Sequence, residues 1–270
     1  MRRTTNPPSI TGPDSFWRRG RARVAGIILV CTVPIPSLAV AVSMLWLAGT
    51  WIGSAVYLLN KAVQCVVPWA WWRCHSGQPG KPLLPRGLGL AAVPREGWLW
   101  GVGLGLAIAT VIVAVYAWVG RGMVDPEPFR EQAARNGLDA AGRYWAFAAG
   151  ISLGNALLEE VFWRWFVVGR CLDLVRGWGR RRVDPAVRPG SVAWAAAIGL
   201  GALLFTLHHV IALSAQFDAV TTGLASLGVL IGGVVWSLLT VRFGSIWPSY
   251  VSHVLTNAAM FAVGWWILVG

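Results

Sequence analysis

The chain has 270 residues, 56% of them hydrophobic and only 13% charged, where an ordinary soluble domain carries about a quarter charged residues. That composition excludes a conventional water-soluble globule. The formal charge of +12 raises nucleic acid as a partner. The arginines, however, cluster in short segments beside apolar runs, no nucleic-acid-binding motif interleaves them, and no nucleic acid is expected.

Apolar runs of roughly 17 to 25 residues recur, long enough to cross a hydrocarbon core at about 1.5 Å per residue. They are continuous rather than alternating, and in lipid only helices and closed barrels satisfy their own backbone. The expected fold is therefore all-α: a polytopic transmembrane helical bundle of about seven membrane segments (six to eight), its surroundings the lipid bilayer.

In chain order, residues 1–23 form a basic tail with six arginines. The apolar stretch after it is too long for a secretory signal and no A-x-A site follows promptly, so a retained anchor is expected. The stretch 24–59 is too long for one ordinary span and is interrupted by Pro34 and Pro36, which suggests two short crossings or a re-entrant piece plus a span. Residues 61–97 mix Trp69, Trp71 and Trp72 with Lys61, Arg73, Lys81, Arg86 and Arg95, the composition of an interfacial segment and a Gly/Pro-rich linker. Further spans are expected at 98–120, 144–168, 191–213, 223–241 and 247–269. The loop 169–190 carries Arg170, Arg176, Arg180, Arg181, Arg182 and Arg188 against Asp173 and Asp184, which places it on the cytoplasmic side. This order gives a multi-pass protein of the cytoplasmic (inner) membrane with its N-terminus inside. Three regions result: the tail 1–23, N-terminal membrane segments and linker at 24–143, and a membrane core at 144–270. Trp98, Trp100, Trp118 and Trp247 stand near span ends, and the tryptophans as a class read as interfacial anchors. Of the cysteines, Cys31 reads as a small packed residue, while Cys65 and Cys74 are the pair that an oxidising side would join.

Eleven residues are acidic, and only Glu159 and Glu160 fall inside a span. An ionisable group at the bilayer centre costs roughly 2.5–3.5 kcal/mol and calls for a partner or a function. Arg164 is one turn after Glu160 and on its face, which accounts for Glu160 as a neutralised pair. Glu159 lies about 100° away around an α-helix and is left unexplained. Three of four histidines, His208, His209 and His253, also fall in apolar spans. Asn257 follows His253 by one turn, an amide suited to a developing oxyanion.

These groups occur in three blocks, E-E-x-x-x-R at 159–164, F-x-x-x-H at 205–209 and H-x-x-x-N at 253–257. With their flanks, LFTLHH at 204–209 and GSIWPSYVSH at 244–253, they resemble the CPBP family of intramembrane peptidases, which includes CAAX prenyl proteases and bacteriocin-processing or immunity proteins. Trp165 departs from the family pattern, where many members have Gly after the Arg. The resemblance covers roughly 144–266 and implies a glutamate-dependent intramembrane endopeptidase acting on a membrane-associated protein or peptide. Glu159 would act as general base and activate water with His209, and His253 with Asn257 would stabilise the oxyanion. Glu160 and Arg164 would hold orientation and charge balance, and Phe205 would pack beside His209. No cofactor is required by this reading. The nearest alternative is a zinc-dependent peptidase using Glu159, His209 and His253, although H-E-x-x-H is missing. A non-proteolytic membrane protein, either an ion or proton transporter or an immunity scaffold, is the other alternative. With straight helices, Glu159 would lie about 13 Å from the cytoplasmic end of its span and His209 about 27 Å along its own. Bringing them together would require the second helix to begin deeper or to bend near Gly199 and Gly201.

Overall fold

The computed structural model describes residues 13–75, 89–178 and 192–270. The tail at 1–12, Lys81 and Arg86 of the linker, and the arginine-rich part of the loop from Arg180 to Arg188 lie outside the described residues. All regular structure among the described residues is helical.

Among the described residues, five helical stretches are long and apolar enough to cross a bilayer: Ala22–Trp46, Arg95–Trp118, Val192–Ser214, Ala219–Phe243 and Trp247–Val269. The first joins α1 (Pro13–Thr32), α2 (Pro34–Val40) and a π-helical turn (Ala41–Trp46). Pro34 and Pro36 do not split this stretch into two short crossings. Pro34 opens α2, where its missing N–H costs no hydrogen bond, and Val33 still donates to Leu29 O at 3.0 Å. A turn at Gly49, with φ +74°, leads into α3 (Trp51–His75). Residues 61–75 thus continue a 25-residue helix rather than forming a separate interfacial piece.

Helix α4 (Arg95–Trp118) lies against α11 (Trp247–Val269) along a stripe of Gly97, Gly101 and Gly105, all buried. At Gly101 and Gly105 a Cβ would meet backbone atoms of Pro248 and Ser252 within 3.0 Å, so the two helices touch main chain to main chain. A short amphipathic helix, α5 (Pro126–Arg135), is capped by Asp125, whose carboxylate accepts from Glu127 N. From residue 141 to 178 the chain is one helical rod: α6 (Ala141–Ala149), a π-helical segment (Gly150–Asn155), α7 (Ala156–Glu159), a second π-helical segment (Glu160–Val167) and α8 (Val168–Trp178).

Helix α9 (Val192–Ser214) returns antiparallel to that rod, and α10 (Ala219–Phe243) follows it. Asp218 caps α10 by accepting from Val220 N, Thr221 N and the Thr221 hydroxyl, and these bonds, the hydroxyl's first, hold its carboxyl below the usual range. Gly244, at φ +62°, ends α10 in the left-handed conformation that glycine takes without strain.

The core is built around the rod. Phe162, Trp163, Phe166, Val167, Cys171 and Leu172 pack against Leu29 and Val33 of α1–α2, Ala197 and Phe205 of α9, and Trp236 and Leu239 of α10. Outward faces are apolar instead of polar, with Val30, Leu58, Leu106, Leu207, Leu227 and Leu238 exposed, as a lipid-facing surface requires. Trp98, Trp100 and Trp118 are exposed toward helix ends, as anchors should be. Trp163 and Trp236 are not anchors but core residues. Cys31 is exposed rather than packed. Cys65 and Cys74 are both free; nine residues apart on one helix, they are separated by about 13 Å of rise, beyond disulfide reach.

Candidate active site

The rod positions the two carboxylates. Both are buried, Glu159 at 4% exposed and Glu160 at 0%. The π-helical segment that begins at Glu160 underwinds the backbone there, and π turns inside helices recur at functional sites. On an ideal α-helix Glu159 and Glu160 would diverge by about 100°, yet here one imidazole meets both. His253 Nδ1 donates to Glu160 Oε1 at 2.9 Å, and His253 Nε2 faces Glu159 Oε2 at 3.8 Å. The ring is held flat against Trp236, 4.0 Å between centroids with 15° between planes. Trp236 Nε1 in turn donates to Ser252 Oγ, tying α10 to the helix that carries His253.

Glu160 is therefore not merely the partner of Arg164. Its shorter contact is to His253; Arg164 Nε stands 3.5 Å from the same oxygen. The Arg164 guanidinium is 4.1 Å from the Phe205 ring centroid and 5.2 Å from that of Trp236, a cation sandwiched by aromatic faces inside the bundle.

Glu159 has a partner that no spacing rule singled out. Asn155, one turn earlier, donates from Nδ2 to Glu159 Oε1 at 2.8 Å. That bond fixes one carboxylate oxygen and leaves Oε2 toward His253. A single neutral amide in an apolar run gives little signal by itself, which is why the motif blocks passed over it.

His209 and Phe205 come from α9, their rings 4.2 Å apart. His209 Nδ1 is 2.9 Å from Phe205 O, and because a carbonyl only accepts, Nδ1 is the donor. In the neutral ring the lone pair then sits on Nε2, the arrangement a proton acceptor needs. His209, His253, His208 and Lys61 all lie within electrostatic reach of the Glu159 carboxylate. His208 is buried beside Trp163, 5.6 Å between ring centroids, with its ring edge-on to His209. Asn257 is half-buried one turn beyond His253, with no hydrogen bond to its side chain among the described residues. Trp165 lies away from the carboxylates and packs beside Gly89, where the chain before α4 is tied to the α10–α11 turn by Ile246 N donating to Gly89 O.

The depth mismatch expected for His209 disappears because the first helix is longer than its apolar run. Arg170, Asp173 and Arg176 lie on α8, not in a loop, and Arg170 pairs with Asp173 across one turn at 3.1 Å. Glu159 then stands about 28 Å from the end of α8 and His209 about 26 Å from the start of α9. The antiparallel register follows: Trp163 meets Phe205, and a Cβ on Gly201 would touch Val168. No bend at Gly199 or Gly201 is needed.

Among the described residues, no three His, Cys, Asp or Glu side chains are grouped as a metal ion would require. What the arrangement offers is two buried carboxylates, an imidazole bridging them, and a second imidazole with a free nitrogen. Groups able to accept and to donate a proton therefore lie together in the buried core of the bundle.

Residues 141–259 match the family model of the Rce1-like type II CAAX prenyl endopeptidases. The match spans every carboxylate, histidine and amide just described, in agreement with the resemblance carried by the three motif blocks, and it supports an intramembrane endopeptidase of the CAAX protease type. No curated protein and no solved structure gives a match.

Proposed function

We propose that this chain hydrolyses a peptide bond near the C-terminus of a prenylated, membrane-associated protein or peptide, using a glutamate-activated water. The observation that carries the proposal is His253 set between Glu160 at 2.9 Å and Glu159 at 3.8 Å. The longer gap exceeds a direct hydrogen bond, and a water seated beside it, about 2.8 Å from each atom, would touch both.

In this reading Glu159 Oε2, with His209 Nε2, takes a proton from a water as its oxygen attacks the carbonyl carbon. The oxyanion accepts from the Asn257 amide and from His253 Nε2–H, a donor that this step requires in the imidazolium form because Nδ1 already donates to Glu160. Collapse of the tetrahedral species breaks the C–N bond, and Glu159 returns the proton to the departing amine. Asn155 holds the base carboxylate, Arg164 balances the second carboxylate, and Phe205 packs between Arg164 and His209. The motif glutamate requires no metal for this sequence of steps. The same reading makes α3 and the rod 141–178 membrane crossings, seven in all, with the N-terminus in the cytoplasm.

The test is cleavage of a prenylated C-terminal peptide by the purified full-length protein. Glu159→Gln and His209→Ala should each lower kcat/KM by at least about 10²-fold, the scale of a lost general base, while the folded helical signal persists. Undiminished turnover by either variant would remove the assignment. Dialysis against a chelator should leave wild-type activity intact; loss restored by added zinc would replace the metal-free steps.

A further inference from the structure

Helix α3 lies outside the segment matched by the family model, yet it forms a wall of the site. It runs parallel to the rod. Trp71 meets Phe166 with 6.3 Å between centroids and lies under Arg170 at 4.3 Å, and further back along α3 Tyr57 and Lys61 come within electrostatic reach of Glu159. Tyr57, Asn60, Lys61 and Gln64 follow one another at i, i+3, i+4 and i+7, so they share one helical face. A polar stripe on a membrane helix carries a cost unless something uses it.

Two features of this stripe point to a ligand. Asn60 and Gln64 are 2% and 0% exposed, and neither amide has a hydrogen-bond partner on its oxygen or nitrogen among the described residues. Each offers the donor and acceptor that a peptide main chain pairs with. Lys61 is half-buried, its ammonium 4.8 Å from the Tyr57 ring centroid, with no carboxylate within 4.0 Å among the described residues. A lysine present only to neutralise Glu159 would close on it as Arg164 closes on Glu160. Lys61 stands off instead.

We infer that the polar face of α3 binds the leaving portion of the substrate, with Lys61 receiving its terminal carboxylate. The inference rests on the peptidase reading above. A C-terminal C-a-a-X tail leaves three residues beyond its prenylated cysteine, a span of about 10 Å when extended. With the scissile carbonyl at Glu159 and His253, the chain end comes to a cation beside that site with no carboxylate partner among the described residues, and the amides of Asn60 and Gln64 lie along the same face.

The experiment compares one prenylated C-terminal peptide as free acid and as C-terminal amide, cleaved by the full-length protein in detergent or nanodiscs. The wild type should prefer the acid by about 10- to 100-fold in kcat/KM, the range of a charge-assisted bond, chiefly through KM. Lys61→Gln should bring the acid/amide ratio close to one, and Lys61→Arg should keep most of it. As a measurement independent of turnover, the free-acid tripeptide product should inhibit the wild type and lose that inhibition in Lys61→Gln. A wild type indifferent to amidation, or a Lys61→Gln variant that slows both peptides by one factor and keeps the ratio, overturns the inference while leaving the peptidase reading intact. Recognition of an acidic side chain in the tail instead of the chain end would leave acid and amide cleaved alike and also overturns it. If neither peptide is cleaved while another membrane substrate is, the prenyl-peptide reading fails and the inference with it.

Discussion

Placing a single methyl group at Gly101 should disable the site from a distance. A Cβ there would lie 2.5 Å from Pro248 O, 3.0 Å from Pro248 Cα and 3.1 Å from Pro248 C. Ordinary carbon contacts need about 3.5–4.0 Å, and these neighbours are backbone atoms that no rotamer change can withdraw. The start of α11 must therefore move outward by about 1 Å. His253 is five residues further along the same helix, holding Glu160 at 2.9 Å. A displacement of about 1 Å at reacting groups costs on the order of 10²-fold in rate. The assay is kcat/KM for a prenylated peptide, with thermal unfolding to show that Gly101→Ala still folds. Gly103→Ala on the same helix, where a Cβ meets nothing within 4 Å, serves as the control and should retain wild-type activity. Gly101→Ala within twofold of wild type would refute the claim that α4 sets the position of His253.

Asn155→Leu should lower kcat by about 10- to 100-fold with KM little changed, because it removes a hydrogen bond to a charged group, worth about 1.5–3 kcal/mol, without touching substrate. A change confined to KM would show that Asn155 binds rather than positions. Arg164→Met leaves Glu160 buried without its cation and should cost about 3–5 kcal/mol of stability, read as a fall in denaturation midpoint. An unchanged midpoint would mean that His253 alone compensates Glu160.

Much of the site was legible because lipid makes charge conspicuous. Glu159, Glu160, Arg164, His209 and His253 stand out in apolar runs, and the structure brings them together around Phe205 and Trp236. What escaped the sequence was of three physical kinds. The His253–Glu160 contact joins residues 93 apart, which no local spacing reveals, so Glu160 looked engaged by Arg164 alone. The extension of α8 past Val168 was hidden because Arg170, Asp173 and Arg176 read as loop charges, although their spacing suits an amphipathic helix with an internal ion pair. The inward face of α3 was hidden for the same reason: Lys61 and Arg73 among tryptophans suggested an interface, while burial of Asn60 and Gln64 shows one side of a long helix turned to the protein. Trp163 and Trp236 followed neither pattern, since a tryptophan's sequence position does not tell a belt from a core.

The α10–α11 turn has a bearing on hydration. Helices α10 and α11 end and begin at Phe243 and Trp247, so His253 sits only about 9 Å along α11 from that turn. Each round of peptide hydrolysis consumes one water molecule, and the interior of a bilayer holds almost none. On the peptidase reading that water has to come from outside the bundle, and about 9 Å of α11 separates His253 from the turn at Gly244. The opposite ends of α10 and α11 are more than twice as far away. On the proposed peptidase reading the two imidazoles therefore look to opposite ends of the bundle, His253 about 9 Å from the Gly244 turn and His209 about 8 Å from the end of α9 at Ser214.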